Sequence, residues 1–190
     1  MSGGDPNTAA KARQTRWTSE QSKLLADWGH RANAAQHAHY FLAARLKRSN
    51  LWLGIPTVVL SAVVGTSLFA TLAQEGGSFP LTLRVVIGTL SVLAAVLAAL
   101  QTFLRFSERS EKHVVAGDWY AAIARHIDEL LAFPSERRGD PKDVLDTIRK
   151  EMNKASQSYP EMGESIWHAM AKAYGVAQPT FGEESTISVP

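Results

Sequence analysis

Apolar positions are concentrated in two long runs. Residues 51–74 and 85–104, 24 and 20 in number, contain no Asp, Glu, Lys, Arg or His. A helix rises about 1.5 Å per residue, so about 20 residues cross a hydrocarbon core of about 30 Å. Between the runs, EGGSFP at 75–80 supplies turn chemistry. The pattern predicts an all-α membrane protein built on a two-span transmembrane hairpin, with spans at about 51–74 and 82–104. Covering two such helices inside a soluble core would fall to about 130 mostly polar residues, too little chain for the task.

Helical periodicity continues outward from both runs. Leu25, Trp28, Ala32, Ala35, His39, Leu42 and Leu46 recur at 3,4 spacing before the first. Phe103, Phe106, Ser110, His113, Gly117, Tyr120, Ala124, Ile127 and Leu131 do so after the second. Two seamed arms of similar length leaving the same side of a hairpin predict a cytoplasmic antiparallel coiled-coil-like pair. Counting outward from the membrane sets His39 opposite Gly117 and Trp28 near Ile127, large against small. The seam residues singled out are Trp28, His39, His113, Gly117 and Tyr120. Ser19 is the expected N-cap of the leading arm, and Pro56 is expected to bend the first span.

The rest of the chain is punctuated by proline and glycine. Residues 1–18 read as a disordered tail and 19–133 as two long helices containing the hairpin. Phe133-Pro134 ends the second of these. Asp140-Pro141, an N-cap followed by proline at the first helical position, opens a C-terminal helical segment over 140–175. Val144, Leu145, Ile148, Met152 and Ala155 give its first helix one apolar face, and Tyr159-Pro160 breaks it. A second helix is expected from Glu161 to Tyr174, closed by Gly175. Residues 176–190 read as a flexible tail.

Composition changes this picture little. A net charge of +2 with no long single-sign block gives no case for nucleic acid, and the absence of cysteine excludes disulfides and thiolate metal sites. Fifty polar residues before the first apolar run argue against a signal peptide. Charge does set the expected topology. Eight Lys or Arg precede the hairpin and eleven follow it, against Arg84 alone in the connection. Basic residues stay on the cytoplasmic side, so a multi-pass cell-membrane protein with both termini cytoplasmic is expected.

Candidate chemistry is sparse. His30 and His37 stand seven residues apart, about 10 Å along a helix, too far to share a metal. No zinc-protease pair, phosphate loop, nucleophile elbow or dinucleotide fingerprint occurs, so no catalytic, cofactor or metal residues are assigned and no enzyme activity is expected. Arg137-Arg138 reads as part of a linker. His39 and His113, polar residues in a seam, could fix register or titrate. In the spans, Gly54, Thr57, Ser61 and Gly65 form one small-residue stripe, and Gly88, Ser91, Ala95, Ala98 and Thr102 form another. Small residues let helices approach in lipid. The stripes serve either packing within the hairpin or assembly of a homo-oligomer. No ionisable residue faces mid-membrane, so a pore built from these spans would have small, hydroxylic or apolar walls.

The layout resembles the SLATT family, two-transmembrane effector domains associated with bacterial nucleotide-second-messenger systems. The resemblance rests on LWLGIPTVVLSAVVGTSLF at 51–69, on IGTLSVLAAVLAALQTFLRFSERSEKHVVAGDWYAAIARHIDELL at 87–131, on Trp28, and on PEMGESIW at 160–167. It implies a pore-forming membrane effector in an anti-phage or conflict response. It implies no catalytic residues. With no visible nucleotide-binding or sensor domain, the trigger is expected from a separate sensor or nucleotide-synthase partner, or from a ligand on the arms. The alternative is a non-pore membrane anchor or adaptor that recruits a soluble partner through its cytoplasmic helices.

Overall fold

The computed structural model describes residues 16–73 and 80–176. The tail expected at 1–18, apart from its last three residues, lies outside the described residues. So do the turn expected at 75–80, apart from Pro80, and the tail expected at 176–190, apart from Val176. The described chain is all-helical, with no strand. Helix α1 is Ser19–Ala73, α2 is Leu81–Leu104, α3 is Phe106–Ala132, α4 is Pro141–Ser158 and α5 is Glu164–Ala173, with a 3₁₀ turn at Ser135–Arg137. The chain divides into two compact units, Leu42–Lys112 and the remainder, Met1–Phe41 with His113–Pro190.

Local chemistry explains the helix ends. The cap of α1 is Thr18, one residue before the expected Ser19. Its hydroxyl accepts from the Gln21 amide at 3.2 Å, and its own amide donates to Gln21 Oε1 at 2.9 Å. This reciprocal capping box satisfies two amide donors of the first turn. Asp140 caps α4 as its Asp-Pro signature predicts, accepting from the Lys142 amide at 2.9 Å. Helix α5 begins at Glu164 rather than Glu161, because Pro160 and the extended Gly163 hold residues 160–163 out of the helix.

In Leu42–Lys112, apolar side chains point outward. The most apolar 18-residue windows of the two long helices are 0% and 6% buried. A soluble core helix would show the reverse. Both helices are long and apolar enough to cross a membrane, and α1 runs through Pro56 without interruption. Their hydroxyls are satisfied within their own helices. Thr57 donates to the Leu53 carbonyl at 2.7 Å, Ser91 to Ile87 at 3.0 Å and Thr102 to Ala98 at 3.0 Å. This back-bonding gives each of these hydroxyls a partner within its own helix.

The helical pattern expected to run unbroken from the second span to Leu131 is interrupted at Arg105. That residue alone separates α2 from α3 and takes the left-handed conformation, φ 46°. For a side chain with a Cβ this conformation costs roughly 1–2 kcal/mol. The seam changes phase here. Before the break, Ile87, Leu90, Ala94, Leu97, Gln101 and Leu104 are buried or partly buried, and after it Ser110, where the Ser110 hydroxyl donates to the Ala43 carbonyl at 2.9 Å. Phe103, assigned to the seam by continuous periodicity, is 83% exposed.

In the other unit the core gathers Leu25, Ile127 and Ile148, each fully buried, with Trp17, Tyr120, Ile123 and several alanines. Burying a Leu or Ile side chain stabilises by roughly 1.5–3 kcal/mol. The α4 face expected from sequence supplies Ile148 and Ala155, both fully buried, and Val144, Leu145 and Met152 pack against the same core. Ala34, Ala171 and Val176 form a smaller cluster, beside which the His37 ring stacks on Tyr174 at 4.6 Å.

Arg138 is no idle linker residue. Its guanidinium donates to the Phe133 carbonyl at 2.8 Å, the Leu131 carbonyl at 3.2 Å and the Ser22 hydroxyl at 3.3 Å. It also lies over the Trp17 ring, whose Nε1 donates to the Gly139 carbonyl at 3.1 Å. The side chain thus caps the C-terminal carbonyls of α3 and ties them to α1. Arg138→Ala is expected to lower the stability of this unit by about 1–2 kcal/mol, read as a lowered thermal midpoint.

Candidate functional site

The small-residue stripes separate in the structure. On α1, Gly54, Thr57 and Gly65 are partly buried and Ser61 is exposed; a Cβ on Gly54 would stand 3.1 Å from Gln101 Nε2. On α2 the inward position is Ala94, at 7% exposure, with Ser91 partly buried beside it. Gly88, Ala95, Ala98 and Thr102 are exposed, and a Cβ on Gly88 or Gly65 would meet nothing within 4 Å. Most of the second stripe is therefore free surface within one chain. The reason is angular, because the contact line through 87, 90, 94, 97 and 101 leaves that stripe to one side.

The arm residues gather more tightly. His39 is 2% exposed, and its Nδ1 lies 2.9 Å from His113 Nδ1. One ring donates and the other accepts. His39 also stacks on Tyr120, centroids 5.6 Å apart and planes 14° apart. Burial first, and then the His113 charge, lowers the His39 pKa from 6.5 to about 4, while burial pushes the Tyr120 phenol up. His39 is therefore neutral at ordinary pH.

Counting outward sets His39 opposite Gly117, but the residue against Gly117 is Tyr40. A Cβ on Gly117 would fall 2.6 Å from Tyr40 Cε1, and the Tyr40 hydroxyl donates to Asp118 Oδ1 at 2.6 Å. That hydrogen bond raises the Tyr40 pKa. His39 meets His113 instead, one helical turn away. Further out Gly29 faces Ile127, where a Cβ would approach Ile127 Cγ2 to 3.1 Å, and Trp28 packs against the core cluster that holds Ile127. The sequence matching keeps the register to within a residue but does not settle which of two adjacent side chains, His39 or Tyr40, turns toward Gly117.

Beside the histidine pair lies a cavity of about 350 Å³. His39 and Tyr120 line it together with Tyr159, Glu161, Glu164 and Trp167. The Tyr159-Pro160 break that ends α4 carries the chain across this opening before α5 begins. Periodicity does not single these residues out as a site. The signal available in the sequence is the cluster of two aromatics and two carboxylates in YPEMGESIW at 159–167. Among the described residues, no three His, Asp or Glu side chains converge as metal ligands would.

Compared with protein-family models, curated proteins and solved structures, the chain matches none.

Proposed function

We propose that the chain is a membrane effector whose two spans insert as a hairpin and assemble with copies of themselves to open a pore or disrupt the bilayer. The observation that carries this reading is the outward-facing apolar surface of both long helices, whose spanning windows are 0% and 6% buried. Water does not tolerate so large a contiguous apolar surface, and lipid does. Assembly is supported by the second small-residue stripe, which the chain's own first helix leaves uncovered. The arms pair as an antiparallel coiled-coil-like unit. In support, Gly29 near the start of α1 meets Ile127 near the end of α3, whereas His39 and Tyr40 further along α1 meet His113 and Gly117 nearer the start of α3. The basic flanks support a topology with both termini in the cytoplasm. The resemblance to the SLATT family supports a bacterial conflict response as the setting, with a separate sensor or nucleotide signal as the trigger. Assembly, with no catalytic step, is the assigned activity.

The chain lacks cysteine, so single cysteines report contacts cleanly. Ala95→Cys and Gly88→Cys are expected to cross-link between copies in membranes, with Val58→Cys on the α1 surface as comparison. Expression with the triggering system active is expected to depolarise cells loaded with a potential-sensitive dye. Cross-links that never exceed the Val58→Cys level, together with an unchanged potential, would identify a monomeric anchor that recruits a partner through its arms.

A further inference from the structure

The cavity beside His39 has a chemical character that the hairpin and its assembly do not use. Its ten lining residues include Tyr120, Tyr159 and Trp167, the His39 ring, and the carboxylates Glu161 and Glu164; none is Lys or Arg. Both glutamates are exposed, and neither forms an ion pair among the described residues. The rings are fixed. Tyr120 is 8% exposed and stacked on His39, and Tyr159 and Trp167 pack against the core of this unit.

Aromatic faces carry negative electrostatic potential and attract cations, most strongly for Trp and Tyr. Two unpaired carboxylates add to that attraction. His39, held neutral by its burial, places no opposing charge on the floor of the cavity. An anion would meet the reverse on every side. A phosphate group entering here would face two carboxylates with no guanidinium or ammonium to offset them.

We propose that this cavity binds a small organic cation, an alkylated ammonium group seated against Tyr120, Tyr159 and Trp167 and balanced by Glu161 and Glu164. At about 350 Å³ the space falls at the small end of the range for ligand sites. The occupant touches α1 and α3 through His39 and Tyr120, the end of α4 through Ala155 and Tyr159, and α5 through Trp167. It therefore fastens the C-terminal helices to the arms, and binding stabilises that docked arrangement by mass action. The site is independent of what the hairpin does in the membrane.

The test uses the full chain in lipid nanodiscs at neutral pH and isothermal titration with three probes. These are choline, its uncharged isostere 3,3-dimethylbutan-1-ol, and adenosine monophosphate as an aromatic anion. Saturable choline binding is expected, with the alcohol weaker by roughly tenfold or more. Glu161→Gln with Glu164→Gln, both on exposed positions, is expected to weaken choline roughly tenfold while leaving the thermal midpoint unchanged. Trp167→Phe retains a ring and is expected to weaken choline only severalfold. Equal affinity for choline and the alcohol, tighter binding of adenosine monophosphate, or no saturable choline binding by a folded protein would each overturn the proposal.

Discussion

Acidification from neutrality to pH 4 is expected to destabilise the arm unit by about 3 kcal/mol through His39 alone. The folded-state pKa, about 4, lies below the 6.5 of a free histidine. Above 6.5 neither state binds the proton, and His39 contributes no pH dependence. Between 6.5 and 4 the unfolded chain takes up a proton that the folded chain refuses, so stability falls as pH falls. Below 4 both states are protonated and the loss levels off. The groups facing His39 are His113, Tyr120 and, across the cavity, Glu161 and Glu164. Exposed carboxylates titrate in the same window, so the informative quantity is a difference. Denaturant midpoints followed by tryptophan fluorescence should fall more steeply with acid in the natural protein than in His39→Gln. Parallel slopes for the two would exclude His39 as the titrating group.

Gly117→Ala should destabilise the same unit by about 1–2 kcal/mol, although alanine is the better helix former. The new Cβ would stand 2.6 Å from Tyr40 Cε1 and 2.7 Å from Tyr40 Cδ1. Relief requires the ring to swing away, which breaks its 2.6 Å hydrogen bond to Asp118. The sign should reverse when the obstacle is removed. In a Tyr40→Ala background the same substitution is expected to stabilise by about 0.5–1 kcal/mol, the ordinary gain for replacing helical glycine. The double-mutant cycle therefore carries a coupling of about 2 kcal/mol. Stabilisation by Gly117→Ala in the natural background would show that the two helices separate freely at this point.

Both effects lie where α1 meets α3, and the cavity opens beside His39. Protonating His39 would place a positive charge on the floor of a site that favours cations, so acid should weaken choline as well as the packing. Arg138 fastens the far end of α3 through three donated bonds.

Much of this was written in the sequence. The two charge-free runs specify helices long enough to span, because the cost of burying charge in hydrocarbon is additive along a chain and needs no partner. Asp140-Pro141 fixes the start of α4 through a local hydrogen bond. The Thr18 capping box is equally legible, since Gln21 follows at the third position. The aromatic and acidic cluster at 159–167 was visible as composition, but nothing one-dimensional says that it closes over His39 and Tyr120.

Which side chains meet was decided by the tertiary structure. Periodicity names a helix face only while its phase is kept, and one left-handed residue, Arg105, resets it. That single backbone rotation leaves Phe103 exposed, while the meeting of Tyr40 with Gly117 and of His39 with His113 is set by how α1 and α3 pack. Seam residues could be proposed from spacing, yet a shift of one position turns a helix by about 100° and replaces every contact. The sequence alone determined the long helices and the stretches that shun water, but neither the break at Arg105 nor the start of α5. The packing of α4 and α5 on the arms, the neutral histidine pair and the cavity over it came only from three-dimensional contacts. Those contacts depend on angles and distances between segments far apart in the chain, which no local pattern encodes.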